Sequence, residues 1–201
     1  MLLYACSTNP GKLREFALAV DQCGAGDLQL EPLPNLRRIN PPEETGTSFE
    51  DNAALKAVYY SRLTSELVFA DDSGLEVKAL NGAPGVLSAR FAGPGADDEA
   101  NNALLLENLR DAPDRQARFV CVIAVAREGS ALTTFRGEVE GEILDAPHGD
   151  GGFGYDPLFF YSAFGRTLAE VTAELKFSVS HRGKALRAMI RWLTQDYSKP
   201  R

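Results

Sequence analysis

The chain has 201 residues, 44% hydrophobic and 24% charged, a balance that excludes disordered, coiled-coil and collagen-like classes. Its 28 acidic and 21 basic residues leave a net charge of -7, which argues against a broad nucleic-acid-binding face but leaves room for a small basic pocket holding one nucleotide. Apolar runs are too short to span a membrane, the first nine residues turn polar too early for a secretory signal, and Cys6, Cys23 and Cys121, with no CxxC pair, read as reduced thiols of a cytoplasmic protein.

In chain order, Leu2–Cys6 reads as a buried strand that enters a tight loop, Ser7-Thr8-Asn9-Pro10-Gly11. Leu13, Phe16, Ala17 and Val20 recur at helical spacing. Asn9 or Ser7 is the candidate cap, and Pro10 suits the first turn. A second strand is expected over Asp27–Leu33, followed by a proline-rich loop, Pro34–Ser48, that carries Glu43, Glu44 and Thr45. Phe49, Asn52, Ala53, Lys56, Ala57 and Tyr60 mark the next helix, with Ser48 as its cap. Leu67–Ala70 reads as a strand that ends in a turn, Asp71-Asp72-Ser73-Gly74, before a short strand at Leu75–Val77.

Residues 81–98 form an ordered loop, and Asp97 or Asp98 opens a helix through Asn108. Two long strands, Gln116–Ala126 and Ala131–Glu142, are joined by Arg127-Glu128-Gly129-Ser130 as a hairpin. A glycine-rich loop, Gly149–Pro157, leads into Leu158–Tyr161. Thr167–Lys176 reads as a short helix or turn, and Ser180–Tyr197 as the last helix. Strands alternating with helices, then a long hairpin, predict an α/β fold around a mixed sheet.

Five places can carry chemistry. In the first loop, Gly11 allows close backbone approach, the helix N-terminus welcomes phosphate, and Lys12 adds a charge on the same face as Glu15. An ordinary capped loop with a surface lysine reads equally well. Adjacent carboxylates at Asp71 and Asp72 are costly unless they are bound to a cation, and Glu44 would join them if the fold brought it near. Together they suit Mg²⁺ completed by phosphate oxygens and water. Phe153, held between glycines, is placed to stack on a base, and Asp156 to accept from a ring N–H; aromatics covering a core are the alternative. Lys176 is the next cation. Ser180 is a natural N-cap, but His181 and Arg182 then sit in a first helical turn, where the dipole disfavours positive charge. That mismatch calls for an acidic or acceptor-rich ligand.

These pieces together resemble the Ham1-like family of non-canonical purine nucleoside triphosphate pyrophosphatases. The resemblance runs through Ser7-x-Asn9-x-x-Lys12-x-x-Glu15, Glu44-Thr45-Gly46, Phe49-x-x-Asn52-Ala53-x-x-Lys56-Ala57 and Ala70-Asp71-Asp72-Ser73-Gly74-Leu75. It continues through Gly82-Ala83-Pro84-Gly85 with Ser88-Ala89-Arg90, Gly152-Phe153-Gly154-Tyr155-Asp156-Pro157 and Ser180-His181-Arg182-Gly183-x-Ala185.

The resemblance implies one domain over 1–201, elongated and two-lobed around a mixed central sheet, with the active site in the cleft between lobes and a homodimer as the working unit. It implies Mg²⁺-dependent hydrolysis of ITP, dITP and XTP to the monophosphate and pyrophosphate, with neither nucleic acid nor membrane as partner. Ser7, Thr8, Asn9, Pro10, Gly11, Lys12, Glu15, Lys56 and Ser73 would then surround the triphosphate. Glu44 and Asp72 would serve the metal, with Asp71 as a third candidate. Asp72 and Lys12 would be catalytic, Asp72 as proton acceptor. Phe153, Gly154 and Tyr155 would form the base platform, while Asp156, Lys176, His181 and Arg182 would contact the base edge. The donor-only guanidinium of Arg182 would suit the oxygen at position 6 of hypoxanthine and xanthine. A related pyrophosphatase with another base preference and a non-catalytic nucleotide sensor are the competing readings; a sensor would have no need of Glu44, Asp71 and Asp72.

Overall fold

The computed structural model describes residues 1–25 and 27–197; Gly26 and the last four residues of the predicted 1–201 domain lie outside it. Strand β1 (Leu2–Ala5) feeds helix α1 (Pro10–Gln22). Asn9 is extended and its side chain accepts the Lys12 N–H, so Asn9 rather than Ser7 is the cap, and Pro10 opens the helix where no N–H is needed. Strand β2 (Gln29–Pro32) returns parallel to β1, with Leu3 opposite Leu30. Helix α2 (Phe49–Ser61) starts where Ser48 accepts the Asp51 N–H.

Strand β3 (Leu67–Val77) corrects the sequence reading. It is one unbroken strand of eleven residues, not two strands about a turn, and it pairs parallel with β1 over Leu67, Val68 and Phe69. Gly74 reads as a turn residue but serves as a contact point. A Cβ there would collide with the Gly85 carbonyl and Ser88 Oγ, and Ser88 Oγ accepts the Leu75 N–H at 2.9 Å. Asp71 and Asp72 therefore lie inside a buried strand instead of at its carboxyl end.

Helix α3 (Asp98–Asn108) is capped by Asp97, which accepts the Ala100 N–H. Strands β4 (Gln116–Arg127) and β5 (Ser130–Ile143) are joined by two residues, Glu128 and Gly129, both at positive φ, the backbone of a tight hairpin turn. Strands β6 (Phe159–Tyr161) and β7 (Arg166–Thr167) add antiparallel partners beyond β5. The sheet has seven strands in the order β2-β1-β3-β4-β5-β6-β7, so the predicted mixed α/β class holds. The helix expected over Thr167–Lys176 is α4 (Ala173–Val179), later because Thr172 caps it and Thr167 belongs to β7. Helix α5 (His181–Trp192) follows, then a π-type turn to Tyr197. Ser180 is the single extended residue between the two helices.

The chain divides into two compact units. The first comprises Met1–Asp72, Cys121–Gly137 and the chain from His181. Its core includes Leu3, Phe16, Phe69, Leu186, Met189 and Ile190, with Phe16 edge-on to Phe69 at 4.9 Å. The second comprises Ser73–Val120 and Glu138–Ser180, and its core gathers Leu75, Leu105, Phe119, Ile143, Tyr155, Leu158 and Phe159. Among the described residues no helix is long and apolar enough to cross a membrane.

The three cysteines are unpaired. Burial pushes the Cys6 and Cys121 thiols up to about 12. Cys23 is half-buried; burial raises its pKa while Arg187 and Arg191 pull it down. A thiol-reactive chromophore is expected to titrate one thiol per native chain and all three after denaturation. Fast labelling of a second thiol in the native protein would contradict this packing.

Candidate functional site

The first unit brings together most of the charged residues singled out from the sequence. Ser7 Oγ accepts the Asn9 N–H at 3.3 Å and Asn9 Oδ1 accepts the Lys12 N–H at 3.1 Å. Thr8, Asn9 and Pro10 are exposed, while Gly11 is buried beneath them. This loop opens α1 toward solvent and sends Lys12 back to Asp71, with Nζ 2.8 Å from Oδ2.

Strand alternation gives the two aspartates different company. Asp71 meets Lys12 and Arg182, whose Nε lies 3.4 Å from Oδ2. Asp72 meets Lys56, whose Nζ lies 2.7 Å from Asp72 Oδ1 and 2.8 Å from Glu44 Oε1. Arg182, only 2% exposed, also places Nη1 2.6 Å from Glu15 Oε2. Where the cationic start of α5 was expected to meet an acidic ligand, Arg182 instead pairs with the protein's own Glu15 and Asp71.

The same contacts drive the two carboxyl groups apart. Burial works to raise Asp71, but Lys12, Arg182 and Lys56 outweigh it and hold the group well below the usual carboxylate range. Asp72 is raised: burial dominates, Lys56 offsets only part of it, and Glu44 adds repulsion. Burial also works against the charge on Lys56, yet Asp72, Asp71 and Glu44 keep its pKa above the ordinary lysine value. Neighbouring carboxylates with divergent pKa values can play unlike parts, one a fixed anion and one a proton acceptor.

Among the described residues no group of three or more His, Cys, Asp or Glu is arranged as a metal cage. The donor set is smaller. Glu44 and Asp72 share one ammonium, and Asp72 Oδ2 is buried with no hydrogen-bond partner. Two carboxylates with one unengaged buried oxygen fit Mg²⁺, which takes one or two carboxylates and completes its shell with water and phosphate oxygens. Asp71 Oδ2 is already shared by two cations.

The second unit holds the aromatic site. Phe153 is half-buried, and Lys176 Nζ sits 4.6 Å from its ring centroid, a cation–π distance. Asp156, 2% exposed, accepts the Phe153 N–H at 2.8 Å and the Lys176 ammonium at 2.6 Å through Oδ2. The oxygen expected to meet a ring N–H therefore orders the loop and the lysine. A Cβ on Gly152 would collide with that same carboxylate, and Gly152 is at φ +72, so the loop requires glycine there. Tyr155 is buried in the core and donates to the Ser88 carbonyl at 2.8 Å. Ser73 is half-buried on β3; His181, which belongs to the first unit, is buried as the first residue of α5.

The Ham1 family model matches residues 3–192. The chain belongs to the Ham1 family. It is 50% identical to the dITP/XTP pyrophosphatase of Acidobacterium capsulatum over 94% of this chain and 97% of that one. It is also 50% identical to the dITP/XTP pyrophosphatase of Geobacter sulfurreducens over 92% of each. Among solved structures, a HAM1 protein from Coxiella burnetii matches with a TM-score of 0.86 and 38% identity, covering 97% of this chain and 99% of that one. The Staphylococcus aureus Ham1 protein matches with a TM-score of 0.85 and 39% identity, covering 96% and 98%.

Several residues of this Ham1 protein shape the site without having been singled out for it. Asn52, fully buried, accepts the Gly46 N–H at 2.9 Å and so fastens the loop that carries Glu44 to α2. Its signal was visible: it is an asparagine in the apolar stripe that contains Ala53 and Ala57. Asp98 and Asn102 of α3 bind the two sides of Gly154. Asp98 Oδ2 accepts its N–H at 2.6 Å, and Asn102 Nδ2 donates to its carbonyl at 3.0 Å. Their i, i+4 spacing on one helix face was legible, but nothing in the sequence says what that face meets.

Proposed function

We propose that this protein, acting through the whole chain 1–201 as a homodimer in the cytoplasm, hydrolyses the non-canonical purine nucleoside triphosphates ITP, dITP and XTP to the nucleoside monophosphate and pyrophosphate. The names of its half-identical relatives support the reaction. The observation that carries the assignment is the pairing of Lys12 and Lys56 with Asp71, Asp72 and Glu44, with Asp72 Oδ2 left unengaged.

The loop Ser7–Lys12 presents polar side chains and the start of α1 to the triphosphate. Lys12 and Lys56, held by carboxylates, offset charge that builds on the phosphate oxygens as the bond to pyrophosphate breaks. Asp72, raised by burial, orients a water and takes its proton as the oxygen attacks the α-phosphorus. Glu44 and Asp72 would hold Mg²⁺, which when bound neutralises phosphate charge and makes a coordinated water more acidic. Phe153 stacks on the purine, and Lys176 offers a donor to the oxygen at position 6. Adenine presents a donor at that position and pairs poorly with another donor. Arg182 enters through Glu15 and Asp71, holding the anion that steers Lys12.

The test is a product assay with Mg²⁺, comparing ITP and XTP with ATP, GTP, dCTP and dUTP while resolving pyrophosphate from orthophosphate. Monophosphate and pyrophosphate from ITP and XTP, with little from the others, is the expected result. Orthophosphate release would move the attack off the α-phosphorus. Binding of ITP without turnover would make the protein a sensor.

A further inference from the structure

We propose that Asp98 and Asn102 of α3 are positioning residues that fix the base platform, acting through the backbone of Gly154 on the ring of Phe153. The inference rests on the reading of Phe153 as the surface on which the purine stacks. Gly154 adopts φ +64, and a Cβ built there would meet nothing within 4 Å. Its glycine therefore answers to backbone conformation and not to crowding, and such a residue is free to swing unless something outside the loop restrains it.

Helix α3 supplies the restraint from one face. Asp98 Oδ2 accepts the Gly154 N–H at 2.6 Å, and one turn later Asn102 Nδ2 donates to the Gly154 carbonyl at 3.0 Å. Those bonds hold the peptide on each side of Gly154. On the other side of the aromatic residue, Asp156 accepts the Phe153 N–H at 2.8 Å. Both peptides flanking Phe153 are thus gripped by carboxylates, which sets the direction in which its side chain leaves the backbone.

The helix that grips is itself anchored. Asn101 Oδ1 accepts the Ala92 N–H at 2.8 Å, and Asn101 Nδ2 donates to the Ala89 carbonyl at 3.4 Å. Tyr155 ties the far end of the loop to the Ser88 carbonyl in the same segment. The consequence is specific. Loss of Asp98 or Asn102 should weaken capture of the base and spare the phosphate chemistry, because neither residue touches a group assigned to the triphosphate.

The experiment is a kinetic double-mutant cycle on the intact protein with ITP and Mg²⁺. Asp98→Ala is expected to raise KM for ITP about tenfold and Phe153→Ala about ten- to a hundredfold, the range usual for lost base–aromatic stacking, with kcat changed far less. The double variant should match Phe153→Ala alone, since Asp98 acts through that ring. Asp98→Asn, which keeps an acceptor for the Gly154 N–H, should restore most of the wild-type KM. An unchanged KM in Asp98→Ala, a fall confined to kcat, or multiplying effects in the double variant would overturn the proposal while the wild type still cleaves ITP. A wild type that does not cleave ITP would remove the functional reading and this inference with it.

Discussion

Asp72→Asn is expected to lower kcat for ITP by about a thousandfold or more, within the range for losing a proton acceptor that also serves a metal, while the protein stays folded and still binds ITP. The expected loss follows from the environment of the carboxylate. Its Oδ1 shares the Lys56 ammonium with Glu44, and its Oδ2 is buried without a hydrogen-bond partner. An amide of the same shape keeps the packing but can neither take a proton nor contribute charge to a cation.

The expected survival of the fold has its own cause. Burial raises the Asp72 pKa, so its ionised form is disfavoured in the folded chain, and neutralising it relieves that penalty. Lys56 loses one partner but keeps Glu44. These opposing terms should leave the midpoint of thermal unfolding within about 3 °C of wild type, roughly 1 kcal/mol for a chain of this size. A stabilised but inactive variant would be the usual signature of a residue retained for chemistry at a cost in stability. Calorimetric ITP binding, thermal unfolding and turnover on one preparation decide the matter. Substantial turnover would remove Asp72 from the centre of the mechanism, and a collapsed fold would make it structural.

Much of this arrangement was legible before any coordinates. Ser48, the pair Ser7 and Asn9, and the pair Asp97 and Asp98 announced helix starts, and Ser48, Asn9 and Asp97 are the caps. The cationic start of α5 announced a need for acidic company, but Glu15 and Asp71 of the chain supply it where a ligand was expected. The sequence misled at Asp71-Asp72-Ser73-Gly74, because that composition is also the composition of a turn. What keeps it extended is non-local: the place of β3 inside the sheet between β1 and β4 and the close approach of Gly85 and Ser88 to Gly74. Neither leaves a mark within a few residues of the motif. The clamp on Gly154 was hidden for the same reason, since its two halves lie 56 and 52 residues away along the chain. Local rules fix caps and periods; the partners of a buried polar group depend on the packing of the whole unit.

Arg182 should show the largest effect on stability. Arg182→Met is expected to destabilise the fold by about 3–5 kcal/mol, the usual cost of removing one partner of a buried ion pair. At 2% exposure, Arg182 neutralises Glu15 and Asp71, which are 8% and 4% exposed. Burial opposes its charge, yet Glu15 and then Asp71 hold the guanidinium firmly protonated. Methionine fills much of the volume but leaves Glu15 buried without that cation and Asp71 dependent on Lys12. For a chain of this length the loss corresponds to a fall of roughly 6–20 °C in the unfolding midpoint. The cause can be separated from lost packing by neutralising Glu15 as well. Arg182→Met combined with Glu15→Gln should recover a large part of the midpoint, because removing both charges of a buried pair costs far less than removing one. Scanning calorimetry on the two single variants and the double variant makes the comparison. A double variant no more stable than Arg182→Met would mean that volume, not charge, sets the cost, and a single variant as stable as wild type would mean that water reaches the network.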